Sequence, residues 1–137
     1  MICYAVIDTN VLVSALLSGH DDAATVQVIG KLFSGEVIPL FSEEILNEYN
    51  EVLRRKKFKF SEALIVDLIS VIEQYGKMVI PSPTGEILPD LKDLPFYEVV
   101  AEKRDDDAYL VTGNIRHFPK KPFIVTANEF LEILKRK

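Results

Sequence analysis

Acidic side chains occur in three separate segments, each beside an element that is predicted to be buried. Asp8 directly follows the apolar run 2–7, Glu48 borders an apolar helical stripe, and Asp93 precedes a predicted helix. Carboxylates that converge from separate segments repel one another unless a cation lies between them. Oxygen ligands without His or Cys favour Mg²⁺ or Mn²⁺ over Zn²⁺. The residue types therefore indicate an acidic metal site, although spacing alone is a weak signal.

Each of these acids also has a purely structural interpretation. Asp8 is suited to a turn or to capping the helix that follows it. Glu48 is equally consistent with a solvated residue at the border of its helix. Asp93 is suited to a plain N-cap, since Pro95 occupies the first turn of the next helix, where proline is tolerated. The residues alone leave both interpretations open.

The charge balance excludes one class of function. The chain has 137 residues, a net charge of −5 and a pI of about 5.1. A broad basic surface that holds nucleic acid by charge alone is therefore not expected. Bound divalent ions can still invert the potential around an acidic site. A metal-dependent nuclease thus remains compatible with the composition.

Hydropathy and cysteine content bear on the compartment. No apolar run reaches the roughly 20 residues of a membrane helix, because Asp67 interrupts the longest candidate, 63–72. The run 2–7 has no basic segment ahead of it, so a signal peptide is not expected. Cys3 is the one cysteine and has no intramolecular partner. These features predict a cytoplasmic protein without membrane contact.

Strand patterns alternate with helical patterns along the chain. Short apolar runs predict strands at 2–7, 37–41, 77–80, 109–111 and 123–125, and the proline-containing segment 81–89 is predicted to be a loop. Helix starts are predicted at Asp21 or Asp22, at Ser42 (with the helix running to about Lys56), at Ser61, after Asp93, and at Thr126 with Glu129. This alternation predicts an α/β fold with a parallel, doubly wound sheet and helices on both faces. Periodicity does not determine the strand order.

In open parallel sheets, ligands bind beyond the carboxyl ends of the strands. The first strand ends in Asp8-Thr9-Asn10, and the fourth ends in Thr112-Gly113-Asn114. We therefore expect these two polar segments to lie at the same edge of the sheet.

Four blocks of the chain, taken together, resemble one family. They are VIDTNVLVSA (6–15), SEEILNEY (42–49), DLKDLPF (90–96) and LVTGNIRHFP (110–119). In this order they resemble the PIN-domain nucleases, specifically the bacterial and archaeal group of toxins from toxin–antitoxin systems, which are VapC-like. The resemblance implies a single PIN-like domain over 1–137, with three α/β/α layers and a central parallel sheet of four to five strands.

The resemblance also implies roles for individual residues. Asp8, Glu48 and Asp93 correspond to the catalytic and metal-binding acids, with Glu48 rather than Glu44 at the helix position. Asn114 corresponds to a further metal ligand. Many PIN nucleases have Asp there, and an amide adds no negative charge, which disfavours tight metal binding and fast turnover. Thr9 or Asn10 is expected to support Asp8. The residues expected around the metal ligands are Asp90, Thr9, Asn10 and Thr112.

The activity implied is Mg²⁺- or Mn²⁺-dependent endonucleolytic cleavage of single-stranded RNA, by a homodimer whose site an antitoxin protein blocks. Basic residues are candidates for contacts to the RNA backbone, although solvated helix ends are at least as common an explanation: Arg54, Arg55, Lys56, Lys57, Lys59, Arg116, Lys120 and Lys121. For His117, next to Phe118, a structural role is favoured over contact with the substrate.

Two other functions compete with this interpretation. An Asp after the first strand also suits a phosphoaspartyl hydrolase or a receiver domain. The hydrolase pattern has a second Asp two residues on, where this chain has Asn10, and the lysine of a receiver is not found. The other competitor is a catalytically weak or inactive PIN-fold module that binds RNA or protein, and Asn114 favours it.

Overall fold

The computed structural model describes residues 2–137. Five strands form in chain order: β1 (Cys3–Ile7), β2 (Val37–Phe41), β3 (Lys77–Met78), β4 (Tyr109–Val111) and β5 (Ile124–Val125). Six α-helices join or follow them: α1 (Thr9–Leu17), α2 (Ala24–Ser34), α3 (Glu43–Leu53), α4 (Glu62–Tyr75), α5 (Leu94–Glu102) and α6 (Ala127–Lys135). Short 3₁₀ turns occupy Lys56–Phe58, Leu91–Asp93, Arg104–Asp106 and Ile115–His117.

The strands form one parallel sheet in the order β3-β2-β1-β4-β5. Consecutive residues of β1 from Ala5 to Ile7 are fully buried, which requires cover on both faces of the sheet. Helix α5 packs against β1, β2 and β4, whereas α2 packs against β2 and α6. The three-layer α/β/α prediction is therefore confirmed, with five strands.

Some predicted boundaries were wrong. Helix α2 does not begin at Asp21 or Asp22, because these residues form a turn in which the Ala23 amide donates to the His20 carbonyl at 3.2 Å. The helix instead follows Ala23, which provides no side-chain cap.

Helix α3 stops at Leu53 rather than near Lys56. The guanidinium of Arg54 donates to the Asn50 carbonyl at 3.2 Å, which satisfies a backbone acceptor near the end of the helix. The 3₁₀ turn Lys56–Phe58 then follows.

Two strands are shorter than predicted. β3 comprises only two residues of the predicted 77–80, although the Val79 amide still donates to the Phe41 carbonyl at 2.7 Å. β5 begins at Ile124 rather than at residue 123.

A glycine is required where α4 ends. A Cβ at Gly76 would lie 2.5 Å from the Pro39 carbonyl oxygen, so only glycine lets the chain pass β2 at this point. The backbone at Gly76 is extended rather than left-handed.

None of the helices between residues 2 and 137 combines the length and apolar character that a membrane span needs.

Candidate active site

The position of Asp8 follows from the register of the two central strands. Ile7 pairs with Val111 in the parallel ladder, so Asp8 and Thr112 are the first residues past the ends of β1 and β4. The Asp8 amide continues the ladder by donating to the Val111 carbonyl at 2.9 Å. Both side chains are buried, and the Thr112 hydroxyl donates to Asp8 Oδ2 at 2.7 Å. The two polar segments thus lie at the same edge of the sheet, as predicted, and because β1 and β4 are neighbours they are also in direct contact.

Asn10 links the same two segments. Its amide nitrogen Nδ2 donates to Asp8 Oδ2 at 3.3 Å, and its Oδ1 accepts from the Gly113 amide at 3.0 Å. Asp8 occupies the N-cap position of α1 but makes no side-chain capping hydrogen bond. Its carboxylate is therefore held by two side chains: that of Thr112, just past β4, and that of Asn10, in the first turn of α1.

Glu48 is brought to this edge by the packing of α3. Its neighbour Tyr49 is buried, and the phenolic hydroxyl donates to the carbonyl of Ile7, immediately before Asp8. Glu48 itself is half-buried, as its position at the border of the apolar stripe predicted. The Thr9 hydroxyl donates to Glu48 Oε2. Thr9 or Asn10 was expected to support Asp8. The Asn10 side chain donates a hydrogen bond to Asp8, whereas the Thr9 hydroxyl donates to Glu48.

Asp93 reaches the site from the start of α5. It makes no side-chain capping hydrogen bond, so the plain N-cap interpretation does not describe it. Its Oδ2 instead lies 3.1 Å from Nδ1 of His117. Asp90 is exposed, and its carboxylate accepts from the Lys92 amide at 3.0 Å, which caps the 3₁₀ turn Leu91–Asp93. Between the two candidates for the third acid, this arrangement favours Asp93.

An aromatic contact holds together the helices that carry Glu48 and Asp93. The rings of Tyr49 on α3 and Phe96 on α5 are buried, with centroids 6.2 Å apart. Both helices also contact neighbouring core elements. Glu48 is therefore positioned within a packed helix, and Asp93 at the start of one.

Burial raises the pKa of all three carboxyl groups. For Asp8 the main cause is desolvation, which the Thr112 hydrogen bond opposes and the negative charge of Asp93 reinforces. For Glu48 desolvation raises the pKa, the Thr9 hydrogen bond lowers it, and the charge of Asp8 raises it.

For Asp93, desolvation again raises the pKa, the His117 hydrogen bond lowers it, and the charges of Asp90 and Glu48 raise it. The three acids therefore interact electrostatically, and each is easier to ionise when a cation compensates its charge.

The donor set suits a hard divalent cation. Side-chain hydrogen bonds use one oxygen of each carboxylate, and between residues 2 and 137 the second oxygen has no side-chain partner. Among the same residues, no group of three His, Cys, Asp or Glu side chains is arranged to enclose one ion directly. Mg²⁺ commonly binds through one or two carboxylates and keeps several waters. The residues present fit that mode of binding.

Asn114 lies beside the site without joining the carboxylates. Its backbone amide donates to the Thr112 hydroxyl at 3.0 Å. Its side chain is exposed and makes no hydrogen bond to any described residue. The amide oxygen is therefore free to approach a cation or a water, but it adds no negative charge.

Sequence reasoning missed several contacts of this site. It did not identify the pairing of His117 with Asp93, that of Thr9 with Glu48, or the anchoring of Tyr49 on β1. For Tyr49, the place of its ring in the apolar stripe of α3 was a usable signal. The other two pairs join segments whose proximity depends on the tertiary fold.

Comparison with protein families agrees with this architecture. A family model described as the PIN domain matches residues 4–116, which is most of the chain. The protein therefore belongs to the PIN-domain family. PIN domains are generally nucleases and typically use divalent metals. No match was found among curated proteins or among solved structures.

Proposed function

We propose that this protein is an Mg²⁺- or Mn²⁺-dependent endoribonuclease that cleaves single-stranded RNA. The observation that carries the proposal is the convergence of Asp8, Glu48 and Asp93 from three separate elements, each with a pKa raised by burial. No Lys or Arg of residues 2–137 forms a salt bridge with any of the three. A carboxylate cluster without a paired Lys or Arg is costly in a purely structural role and useful for holding a cation.

The roles of the residues follow from their contacts. Asp8, Glu48 and Asp93 would hold the cation, one or two of them directly and the rest through its bound waters, and Asn114 would be a further oxygen donor. When bound, such an ion neutralises charge on the phosphodiester and activates the attacking water. Thr112 and Asn10 orient Asp8, Thr9 orients Glu48, and His117 orients Asp93. These partners fix the carboxylates in the way that outer groups fix the ligands of metal sites.

We further propose that the enzyme is the toxin of a toxin–antitoxin system, acts as a cytoplasmic homodimer, and is blocked by an antitoxin protein. The four resembling blocks support the VapC-like assignment. Exposed apolar residues of the segment before α5, such as Ile80 and Ile87 (89% and 90% exposed), are suited to a protein partner. Growth arrest on induction of the wild type, relieved in Asp8→Asn, is the expected cellular result; arrest by both would contradict it.

The enzymatic proposal is tested by cleavage assays on purified variants. Wild type should cleave single-stranded RNA with Mg²⁺ or Mn²⁺ and fail in chelator, whereas Glu48→Gln should be inactive. Glu44→Gln is the matched control, because Glu44 is an exposed residue of the same helix. Asp90→Asn is the corresponding control for Asp93→Asn. Equal activity of Glu48→Gln and Glu44→Gln would remove Glu48 from the site.

A second candidate is a catalytically weak or inactive PIN-fold module that binds RNA or protein. Asn114 favours it, since an exposed amide stands where many PIN nucleases have a carboxylate. Asn114→Asp distinguishes the two: a large gain of cleavage from an inactive wild type would support the inactive module. If the wild type already cleaves RNA and Asn114→Asp changes its activity little, the active nuclease is supported.

A further inference from the structure

A groove adjoins the candidate active site between α1 and the end of α3. It has a volume of about 540 Å³, within the range of about 300–1,000 Å³ that is usual for ligand pockets. Its lining is mainly apolar and includes Val13, Leu17, Val52 and Phe58. We call it the α1–α3 groove.

The α1–α3 groove shares a wall with the site. Thr9 and Asn10 line it, and these residues bond to Glu48 and Asp8 respectively. A polymer that presents a reacting group to the carboxylates can therefore place an adjacent unit in the groove. The reacting group and that unit would be neighbours along one strand.

The groove is flanked by the most basic segment of an acidic chain, residues 54–59. Arg54 and Arg55 are paired with Glu62 and Glu51, at 2.7 and 3.2 Å. Lys56, Lys57 and Lys59 form no salt bridge among the described residues. This segment therefore offers free positive charge beside an apolar surface.

An aromatic ring and a cation meet at the mouth of the groove. Nζ of Lys57 lies 5.1 Å from the ring centroid of Phe58, and Phe58 stacks on Phe60 at 5.5 Å. Single-stranded nucleic acids are bound by this combination, in which cations follow the phosphates and aromatic side chains contact the bases. A duplex hides its bases in the stack, so it cannot use such a groove.

We propose that the α1–α3 groove binds a nucleobase of the single-stranded substrate, while Lys56, Lys57 and Lys59 contact the neighbouring phosphates. The inference rests on the proposed ribonuclease function and specifies how that site holds its substrate. A second copy of the chain is a poorer occupant, because a two-fold contact would bring two copies of the basic segment together.

The test measures binding of a fluorescent single-stranded RNA, and of an abasic RNA with the same number of phosphates, in chelator so that no cleavage occurs. Phe58→Ala should weaken binding of the normal RNA about fivefold or more, by the usual contribution of one base contact. It should leave binding of the abasic RNA unchanged. Phe33→Ala is the matched control, since Phe33 is 56% exposed and does not line the groove.

Leu17→Ala provides a second variant that does not threaten the fold, because Leu17 is 57% exposed. It should also weaken binding of the normal RNA, and Leu64→Ala (41% exposed, outside the groove) should not. Lys57→Ala should weaken the binding of both RNAs. It should also reduce the slope of log affinity against log salt concentration by about 0.7, the value per phosphate contact on a single strand.

The outcomes separate this proposal from the enzymatic one. Three results would overturn the base-binding groove. Phe58→Ala and Leu17→Ala could lose equal affinity for normal and abasic RNA, neither variant could lose affinity, or the wild type could fail to bind RNA. A change in oligomeric state with unchanged RNA affinity would assign the groove to a second copy and overturn it as well. Absence of metal-dependent cleavage, with base-dependent binding retained, would refute the nuclease and support the groove.

Discussion

The hydrogen bond from Thr112 to Asp8 can be removed without changing the shape of the core. Thr112→Val replaces the hydroxyl by a methyl group at a fully buried position. Asp8 Oδ2 then loses its 2.7 Å donor, and the Asn114 amide loses its acceptor. Asn114 is exposed, so water can replace that second bond. The main consequence falls on the buried carboxylate.

The expected cost follows from the charge on Asp8. A buried acceptor that loses its partner costs about 1–3 kcal/mol, and charged acceptors lie at the upper end. For a chain of this length this corresponds to a fall in Tm of roughly 3–12 °C. Since the Thr112 bond lowers the pKa of Asp8, its loss should raise that pKa further. The cost should therefore be largest when Asp8 is ionised and should shrink as the pH falls through its folded-state pKa.

The assay is a double-mutant cycle of unfolding free energies in metal-free buffer. Thr112→Val should cost less in the Asp8→Asn background, because a neutral acceptor replaces the carboxylate. Thr25→Val is the control: its hydroxyl makes only a long 3.4 Å contact near the surface, and we expect a change within about 0.5 kcal/mol. Equal costs in both backgrounds, with no dependence on pH, would refute the view that Thr112 stabilises an ionised Asp8.

Three further predictions concern the same acids. Asp8→Asn, Glu48→Gln and Asp93→Asn should each reduce cleavage by about 100-fold or more while preserving or raising the Tm of the metal-free protein; clear destabilisation would favour structural roles. Because the folded-state pKa of each acid is raised, its contribution to stability is present at low pH and is lost as the pH rises through that value. The Tm advantage of Asp8→Asn over wild type should thus grow as the pH rises above about 4, the ordinary pKa of an Asp side chain, and a Tm difference that is the same at every pH would argue against a raised pKa of Asp8. His117→Ala should reduce cleavage about 10- to 100-fold, because it releases Asp93. Calorimetry should show a matching loss of metal affinity, and full activity would show that His117 does not orient Asp93 for cleavage.

The sequence predicted those parts of the fold that local patterns determine. The continuous apolar run before Asp8 identified β1, because a strand buried on both faces needs apolar residues at every position. The capping box of Thr126 and Glu129 was confirmed for the same reason, since its contacts span only four residues. The C-terminal ends of β1 and β4 were also predicted to lie at one edge of the sheet, because parallel strands share that edge.

Long-range contacts could not be predicted in this way. The strand order depends on which apolar faces pack together, and no local pattern encodes it. His117 is 24 residues from Asp93 and reaches it only through the turns that follow β4. The turn at Asp21 and Asp22 shows the opposite failure, since a good local capping signal was overridden by a hydrogen bond to His20. Site residues were therefore easier to nominate than their partners.

The most direct test of the metal-nuclease account compares wild type with Asp8→Asn for thermal stability and RNA cleavage, each with and without Mn²⁺. Asp22→Asn, at an exposed turn position, is the control for a simple change of charge. The account predicts that Mn²⁺ stabilises the wild type and the control and switches on their cleavage, and that Asp8→Asn shows neither effect. Stability that is indifferent to Mn²⁺, together with no cleavage by the wild type, would contradict it.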